Sequence, residues 1–187
     1  MQPWVHIVGG GLSGLSLAYA LSQFDELPGD VVISEARTGY RNDRTFSFWF
    51  DDSQRALLQP EYEYASWCLS LQSEAIQHDG QQLKYGIRTA ASVYQQALDA
   101  ISKHPQITIQ QQRLQSKPEA EHVFDSRPPA LTDFRLIQSF VGTEILLPQE
   151  HQLSAVQLME NLTTTANGIE FRYVLPLGAH KLLVEHT

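Results

Sequence analysis

The sequence predicts an α/β fold with a parallel, Rossmann-like dinucleotide-binding unit and later strands that belong to a second sheet. Three observations predict it. The run Val5-His6-Ile7-Val8 leads straight into Gly9-Gly10-Gly11-Leu12-Ser13-Gly14, whose glycines at 9, 11 and 14 have G-x-G-x-x-G spacing. A second apolar run, Val31-Val32-Ile33, ends at Ser34-Glu35 and puts an acid 21 residues after Gly14. From Phe134 onward the pattern changes to stretches that alternate in part and end in a hairpin signature.

In the first βαβ unit each glycine has its own reason. Gly9 permits the tight turn that leaves the strand, Gly11 lets a pyrophosphate approach the backbone, and Gly14 lets the helix pack closely on the sheet. The helix start, Leu12-Ser13-Gly14, offers free N–H groups and a partial positive charge to a phosphate. Leu12, Leu15, Ala18, Tyr19 and Leu21 form its apolar face. Pro28-Gly29 turns the chain back toward the second strand. Glu35 stands where such folds place the acid that binds ribose hydroxyls.

The stretch 36–44 is a polar loop carrying Arg37, Arg41 and Arg44, clustered beside a phosphate site in an acidic protein. Arginine offers a planar set of donors to phosphate oxygens. Two readings stand: at least one of the three contacts the cofactor, or all are solvated loop charges. Thr45-Phe46-Ser47-Phe48-Trp49-Phe50 is an aromatic strand, either core or the lining of a pocket. Residues 61–72 hold at least one strand of the second sheet. Gly86-Ile87-Arg88-Thr89 introduces a helix over Ala90 to Lys103, capped by Thr89 or Ser92 and ended by Pro105. Ile107-Thr108-Ile109 is a short strand, and 115–122 a turn or exposed hairpin. Val123-Phe124-Asp125 is a strand ending in a loop; Asp125 is either a ribose ligand or a turn aspartate. Leu136 to Leu147 reads as a strand, Val156 to Leu162 is ambiguous, and Ile169 to Leu177 pairs with Lys181 to Thr187 across a Gly178-Ala179-His180 turn.

Composition bounds the function. The chain's 187 residues are 42% hydrophobic and 18% charged, enough for one substantial core or a domain with a small second layer. A net charge of −8 argues against broad nucleic-acid binding. Cys68 is the one cysteine, so neither an intramolecular disulfide nor a multi-cysteine metal site forms, and it reads as a small buried hydrophobe. The first basic side chain is Arg37, so the N-terminal apolar run reads as a nucleotide strand rather than a signal peptide. No apolar run approaches the ~18 residues of a membrane span, and a cytosolic compartment is expected. The seven histidines are scattered without ligand spacing, so no metal is expected. Ser13 and Ser16 lack the nucleophile-elbow spacing.

Over its whole length the chain resembles the bacterial flavin-dependent lycopene cyclases. The resemblance rests on the glycine turn, on Asp43-Arg44-Thr45-Phe46-Ser47-Phe48-Trp49, and on Val123-Phe124-Asp125-Ser126-Arg127. It continues through Gln138-Ser139-Phe140-Val141-Gly142 and Phe171-Arg172-Tyr173-Val174-Leu175-Pro176-Leu177, and closes with Leu182-Leu183-Val184-Glu185-His186-Thr187. It implies a fold like p-hydroxybenzoate hydroxylase: an FAD-binding domain (1–50 and 86–130) interleaved with a substrate sheet (51–85 and 131–187). It implies cyclisation of the acyclic ends of lycopene to β-ionone rings, an isomerisation that needs reduced FAD, with NAD(P)H as a reductant, but has no net redox change. Matched onto this chain, the acid–base carboxylate close to the flavin is Glu185.

The cofactor contacts implied by motif and resemblance together are Gly9, Gly11, Leu12, Ser13, Gly14, Glu35, Ala36, Arg37, Arg44 and Asp125. The expected partners are an apolar carotenoid and peripheral contact with the inner face of a membrane; since Thr187 falls about halfway along the family pattern, the chain reads as a fragment, a split-gene product with a partner chain supplying the missing half, or a degenerate relative. Departures are His186 where the family carries aspartate, and Leu158-Met159-Glu160-Asn161-Leu162, which keeps only part of a family motif. Two other classes remain open: a different FAD-dependent oxygenase or oxidoreductase, and a non-catalytic half-protein.

Overall fold

A computed structural model describes residues 2–71, 74–128, 136–166 and 168–187. The chain divides into two compact units, Met1–Thr45 with Thr89–Asp133, and Phe46–Arg88 with Phe134–Thr187.

The first unit is built on strands β1 (Val5–Val8), β2 (Val31–Glu35), β8 (Ile107–Gln111) and β9 (His122–Asp125), with helices α1 (Leu12–Leu21) and α3 (Ala90–Ile101). The strand order is β8-β2-β1-β9, all neighbours parallel. Central parallel strands are covered on both faces and need apolar side chains on both. Accordingly β1 is buried at every position, and Ile7, Val31 and Ile33 are fully excluded from solvent. Burying each such side chain contributes roughly 1.5–3 kcal/mol. His6 is the exception in kind: its Nε2 lies 2.8 Å from Ser34 Oγ, and burial holds its pKa below the ordinary histidine value.

Helix α1 buries Gly14, Leu15 and Ala18, while Leu12 stays exposed, so the apolar face is narrower than the sequence predicts. Helix α3 begins as expected: Thr89 Oγ1 accepts the N–H of Ser92 at 3.4 Å. It buries Ala90, Tyr94, Ala97 and Ile101, one stripe at helical spacing, and Gln96 donates to the Tyr19 hydroxyl of α1. Residues 112–121 contain no strand, so the exposed segment is a loop rather than a hairpin.

The second unit holds two sheets. A six-stranded sheet has the order β10-β13-β12-β11-β5-β6, from Val141–Leu146, Lys181–His186, Gly168–Pro176, Val156–Thr165, Ser66–Leu71 and Glu74–Asp79. A three-stranded sheet has the order β3-β7-β4, from Thr45–Phe50, Lys84–Thr89 and Tyr62–Tyr64. A one-turn helix, α2 (Arg55–Leu58), lies between β3 and β4 in sequence. The core joins Trp67, Tyr85, Ile87, Val156, Leu158, Leu175, Leu177 and Leu183. The terminal hairpin forms as the sequence predicts, with Tyr173 opposite Glu185 and Leu175 opposite Leu183.

Four expectations change. Gly86 to Thr89 belongs to β7 rather than to a lead-in; Gly86 sits there because an added Cβ would meet Phe48 at 2.7 Å. Phe46 to Phe50 group with the second unit, because β3 pairs in the three-stranded sheet. The strand expected from Leu136 starts only at Val141, where pairing with β13 begins at His186. The ambiguous stretch from Val156 is the long strand β11, whose register shifts around Glu160 obscure its alternation. The expectations for Gln72 and for Pro129 to Arg135 lie outside the described residues.

Candidate functional site

The glycine turn is set by steric limits that the backbone makes explicit. Gly9 adopts φ +97°, and a Cβ there would meet Ser126 Oγ at 2.7 Å. A Cβ on Gly14 would lie 2.0 Å from the Gly9 carbonyl oxygen and 3.1 Å from Ile7 Cγ2, so the helix packs here only through glycine. Gly11 faces nothing within 4 Å of its would-be Cβ. It is the N-cap of α1, no side chain caps the helix, and no acid occupies the first turn. The N–H groups at Leu12, Ser13 and Gly14 thus begin an uncapped, positive helix end beside open space.

Glu35 is fixed beside this turn. One carboxylate oxygen accepts the Gly10 N–H at 2.7 Å and the Arg37 guanidinium at 3.2 Å; the other accepts the Arg37 N–H at 2.7 Å. Burial pushes this carboxyl up, but the donors of Arg37 and Gly10 outweigh burial and hold it below the ordinary glutamate value. The second oxygen, with one donor, keeps acceptor capacity for a hydroxyl.

Arg37 is engaged as thoroughly. Its guanidinium donates to the Gly10 carbonyl at 2.7 Å and lies 4.7 Å from the Tyr40 ring centroid and 5.5 Å from that of Tyr94. Burial lowers its pKa, and hydrogen bonds to Tyr94 and Glu35 more than reverse that, so it stays charged. The Tyr40 hydroxyl is buried without a hydrogen-bond partner among the described residues. Burial, and then the charge of Glu35, push its pKa up to about 12.

The structure gathers Gly9, Gly11, Leu12, Ser13, Gly14, Glu35 and Arg37 at one end of the parallel sheet, with Ala36 in the link between the two charged residues. Arg44 and Asp125 are engaged elsewhere. Arg44 pairs with its neighbour Asp43 at 3.3 Å. Asp125 stands opposite Val8 in the sheet register, but its carboxylate takes Arg127, with contacts at 2.6 and 2.9 Å. Ser126, between them, has a role that sequence spacing does not announce. Its N–H donates to the Val8 carbonyl, and its hydroxyl lies 3.0 and 2.9 Å from the carbonyls of Val8 and Gly9, clamping the turn from β9. Only its place in Phe-Asp-Ser-Arg hinted at this. Tyr40 and Tyr94 were equally silent, because nothing in spacing announces a ring that stacks on an arginine.

In the second unit Glu185 occupies β13, flanked by Gly142 of β10 and Tyr173 of β12. Strand alternation puts it on the face of Leu183 and Leu175, both buried core residues. Glu185 is half-buried, and burial pushes its carboxyl above the ordinary glutamate value. It raises the pKa of Tyr85 in turn, after the larger effect of burial and alongside Tyr173. Tyr85 belongs to an aromatic group: Trp49 packs edge-on against Tyr85 at 5.2 Å and Trp67 at 5.9 Å, and Trp67 against His78 at 5.4 Å. No group of three or more metal-ligating side chains occurs among the described residues.

The lycopene cyclase protein family matches residues 5–187. No curated protein matches the sequence. Solved structures share the fold at low identity. PqsL, a probable FAD-dependent monooxygenase from Pseudomonas aeruginosa, is 14% identical with a TM-score of 0.63, over 98% of this chain and 60% of its own. The p-nitrophenol 4-monooxygenase PnpA from Pseudomonas putida DLL-E4 is 13% identical at 0.64, over 99% and 57%. A geranylgeranyl bacteriochlorophyll reductase-like protein from Thermoplasma acidophilum is 12% identical at 0.60, over 97% and 55%. The chain thus spans little more than half the length of these proteins, and it has the fold of the FAD-dependent monooxygenases throughout. With the family matched from Val5 to its last residue, the chain belongs to the lycopene cyclase protein family.

Proposed function

We propose that the chain is a flavoprotein that closes the acyclic ends of a carotenoid into rings by acid–base chemistry. Its first unit fits FAD: an uncapped helix start, open space at Gly11 and a carboxylate oxygen of Glu35 with acceptor capacity suit a pyrophosphate and a ribose. In that role the N–H groups from Leu12 to Gly14 hold phosphate, Glu35 accepts a ribose hydroxyl, and Arg37 keeps Glu35 ionised and oriented. Reduced FAD held there would supply negative charge suited to stabilising a developing cation.

The observation that carries the reading is Glu185, a carboxyl that burial keeps protonated beyond the ordinary range on an apolar, aromatic sheet face, at the family's acid position. Its proton passes to the terminal double bond of the substrate. The neighbouring double bond attacks the resulting tertiary cation, one C–C bond forms, and the ring carries the charge. The Glu185 carboxylate then takes a proton from the adjacent ring carbon, which restores the acid and leaves no net redox change. The aromatic group around Trp49 and Tyr85 offers an apolar surface to such a substrate. In this reading a membrane-dissolved substrate calls for peripheral contact with a membrane surface.

A second reading, oxygenation of a small apolar substrate, draws on the monooxygenase neighbours. Anaerobic incubation with reduced FAD and lycopene separates the two. The cyclase reading expects ring-ended product with reductant consumed only in catalytic amount. Product that appears only with oxygen and with stoichiometric NAD(P)H consumption supports the second reading instead.

A further inference from the structure

We infer that Gly142 is a positioning residue: by carrying no side chain, it leaves the seat that the Glu185 carboxyl occupies. The inference rests on the reading of Glu185 as the acid. Gly142 lies in β10 directly opposite Glu185. A Cβ there would stand 3.1 Å from Glu185 Cγ, 3.2 Å from its Oε1 and 3.3 Å from Leu183 Cδ1. These separations are too tight for an unshifted carboxyl. Backbone freedom is not the reason for this glycine, since the positive-φ glycines are Gly9, Gly168 and Gly178. A glycine inside a strand weakens it, so its presence calls for a close approach from a neighbour. The other β10 residues on that face are Glu144, which reaches Lys181 at 2.6 Å, and Leu146, which stands opposite Lys181.

The groups facing Glu185 are Gly142 on one side, Tyr173 on the other, Tyr85 above the same face, and the Lys181–Glu144 pair further along β13. None of these donates a hydrogen bond that fixes the carboxyl, so its position depends on shape. A methyl group at 142 forces the Glu185 side chain to give by a few tenths of an ångström, away from the seat it holds against β10.

The test is Gly142→Ala in the 187-residue chain, read three ways. Carbon-13 titration of labelled glutamate, assigned with Glu185→Gln, should show the Glu185 midpoint falling toward the ordinary value by at least about half a pH unit. Turnover of lycopene should fall about tenfold in kcat, with KM unchanged. The melting temperature is measured in the native and in the Glu185→Ala background. Loss of stability that disappears in the Glu185→Ala background supports the contact even where Gly142→Ala alone fails to fold. A folded Gly142→Ala with an unmoved Glu185 titration overturns the inference, as does equal destabilisation in both backgrounds. Absence of turnover in the native chain counts against the cyclase reading, while the titration and the double-variant comparison still decide the role of Gly142.

Discussion

Glu35 and Glu185 are the same side chain near the ends of two strands, and their surroundings drive them in opposite directions. Glu35 is only 8% exposed, yet its carboxyl is held low by two backbone N–H groups and a guanidinium. Glu185 is partly buried, and burial leaves its carboxyl high because no hydrogen-bond donor among the described residues offsets the loss of solvent. Donors set the difference between the two carboxyls. A carboxylate ringed by donors is suited to accept from a ribose hydroxyl, and a carboxyl without them is suited to give up a proton.

The predictions that break or sharpen this contrast begin with the largest effect. Glu185→Gln should lower cyclisation by at least about 100-fold, the scale of losing a general acid, while retained flavin absorbance stays unchanged. Gly14→Ala follows, since its methyl would overlap a backbone carbonyl that cannot swing aside. It should lower unfolding free energy by about 3 kcal/mol, measured by denaturant titration with the native chain alongside.

Glu35→Gln should weaken FAD binding about tenfold, the scale of one charge-assisted hydrogen bond, seen by flavin fluorescence quenching. Its stability cost has a defined pH sense. The pKa of Glu35 is lowered on folding, so its contribution is present above the ordinary glutamate range and is lost as pH falls through the folded value. Glu185 has the reverse sign. Its pKa is raised on folding, so native stability is full in acid and is lost as pH rises from the ordinary range through the folded value. Relative to the native chain, Glu35→Gln should therefore melt lower at pH 7 and converge in acid, whereas Glu185→Gln should gain at pH 7. Smallest of all, Tyr40→Phe removes a buried hydroxyl that has no partner among the described residues and should leave unfolding free energy unchanged or raise it by up to about 1 kcal/mol, measured by denaturant titration.

The first unit was largely legible because parallel strands and glycine turns write themselves locally. Val5 to Val8, the three glycines and Glu35 each carry their reason within a few residues, and α3 was readable from its cap and its stripe. What escaped depends on partners distant in sequence. Ser126 clamps a turn 117 residues earlier, and Tyr94 reaches Arg37 across the fold. In the second unit the hairpin was plain. The strand β6 was not, since every one of its positions is exposed and no alternation marks it. In the sequence Gly142 is legible only as part of a family motif, and its steric reason appears when β10 lies against β13.

The most direct test of the contrast measures retained FAD and lycopene conversion side by side for the native chain, Glu35→Gln and Glu185→Gln. The account predicts a double separation: Glu35→Gln loses flavin, and its conversion recovers when FAD is added in excess, whereas Glu185→Gln keeps its flavin and stays at least about 100-fold below the native rate at every FAD concentration. Conversion by Glu185→Gln at the native rate, or flavin retention untouched by Glu35→Gln, would contradict it.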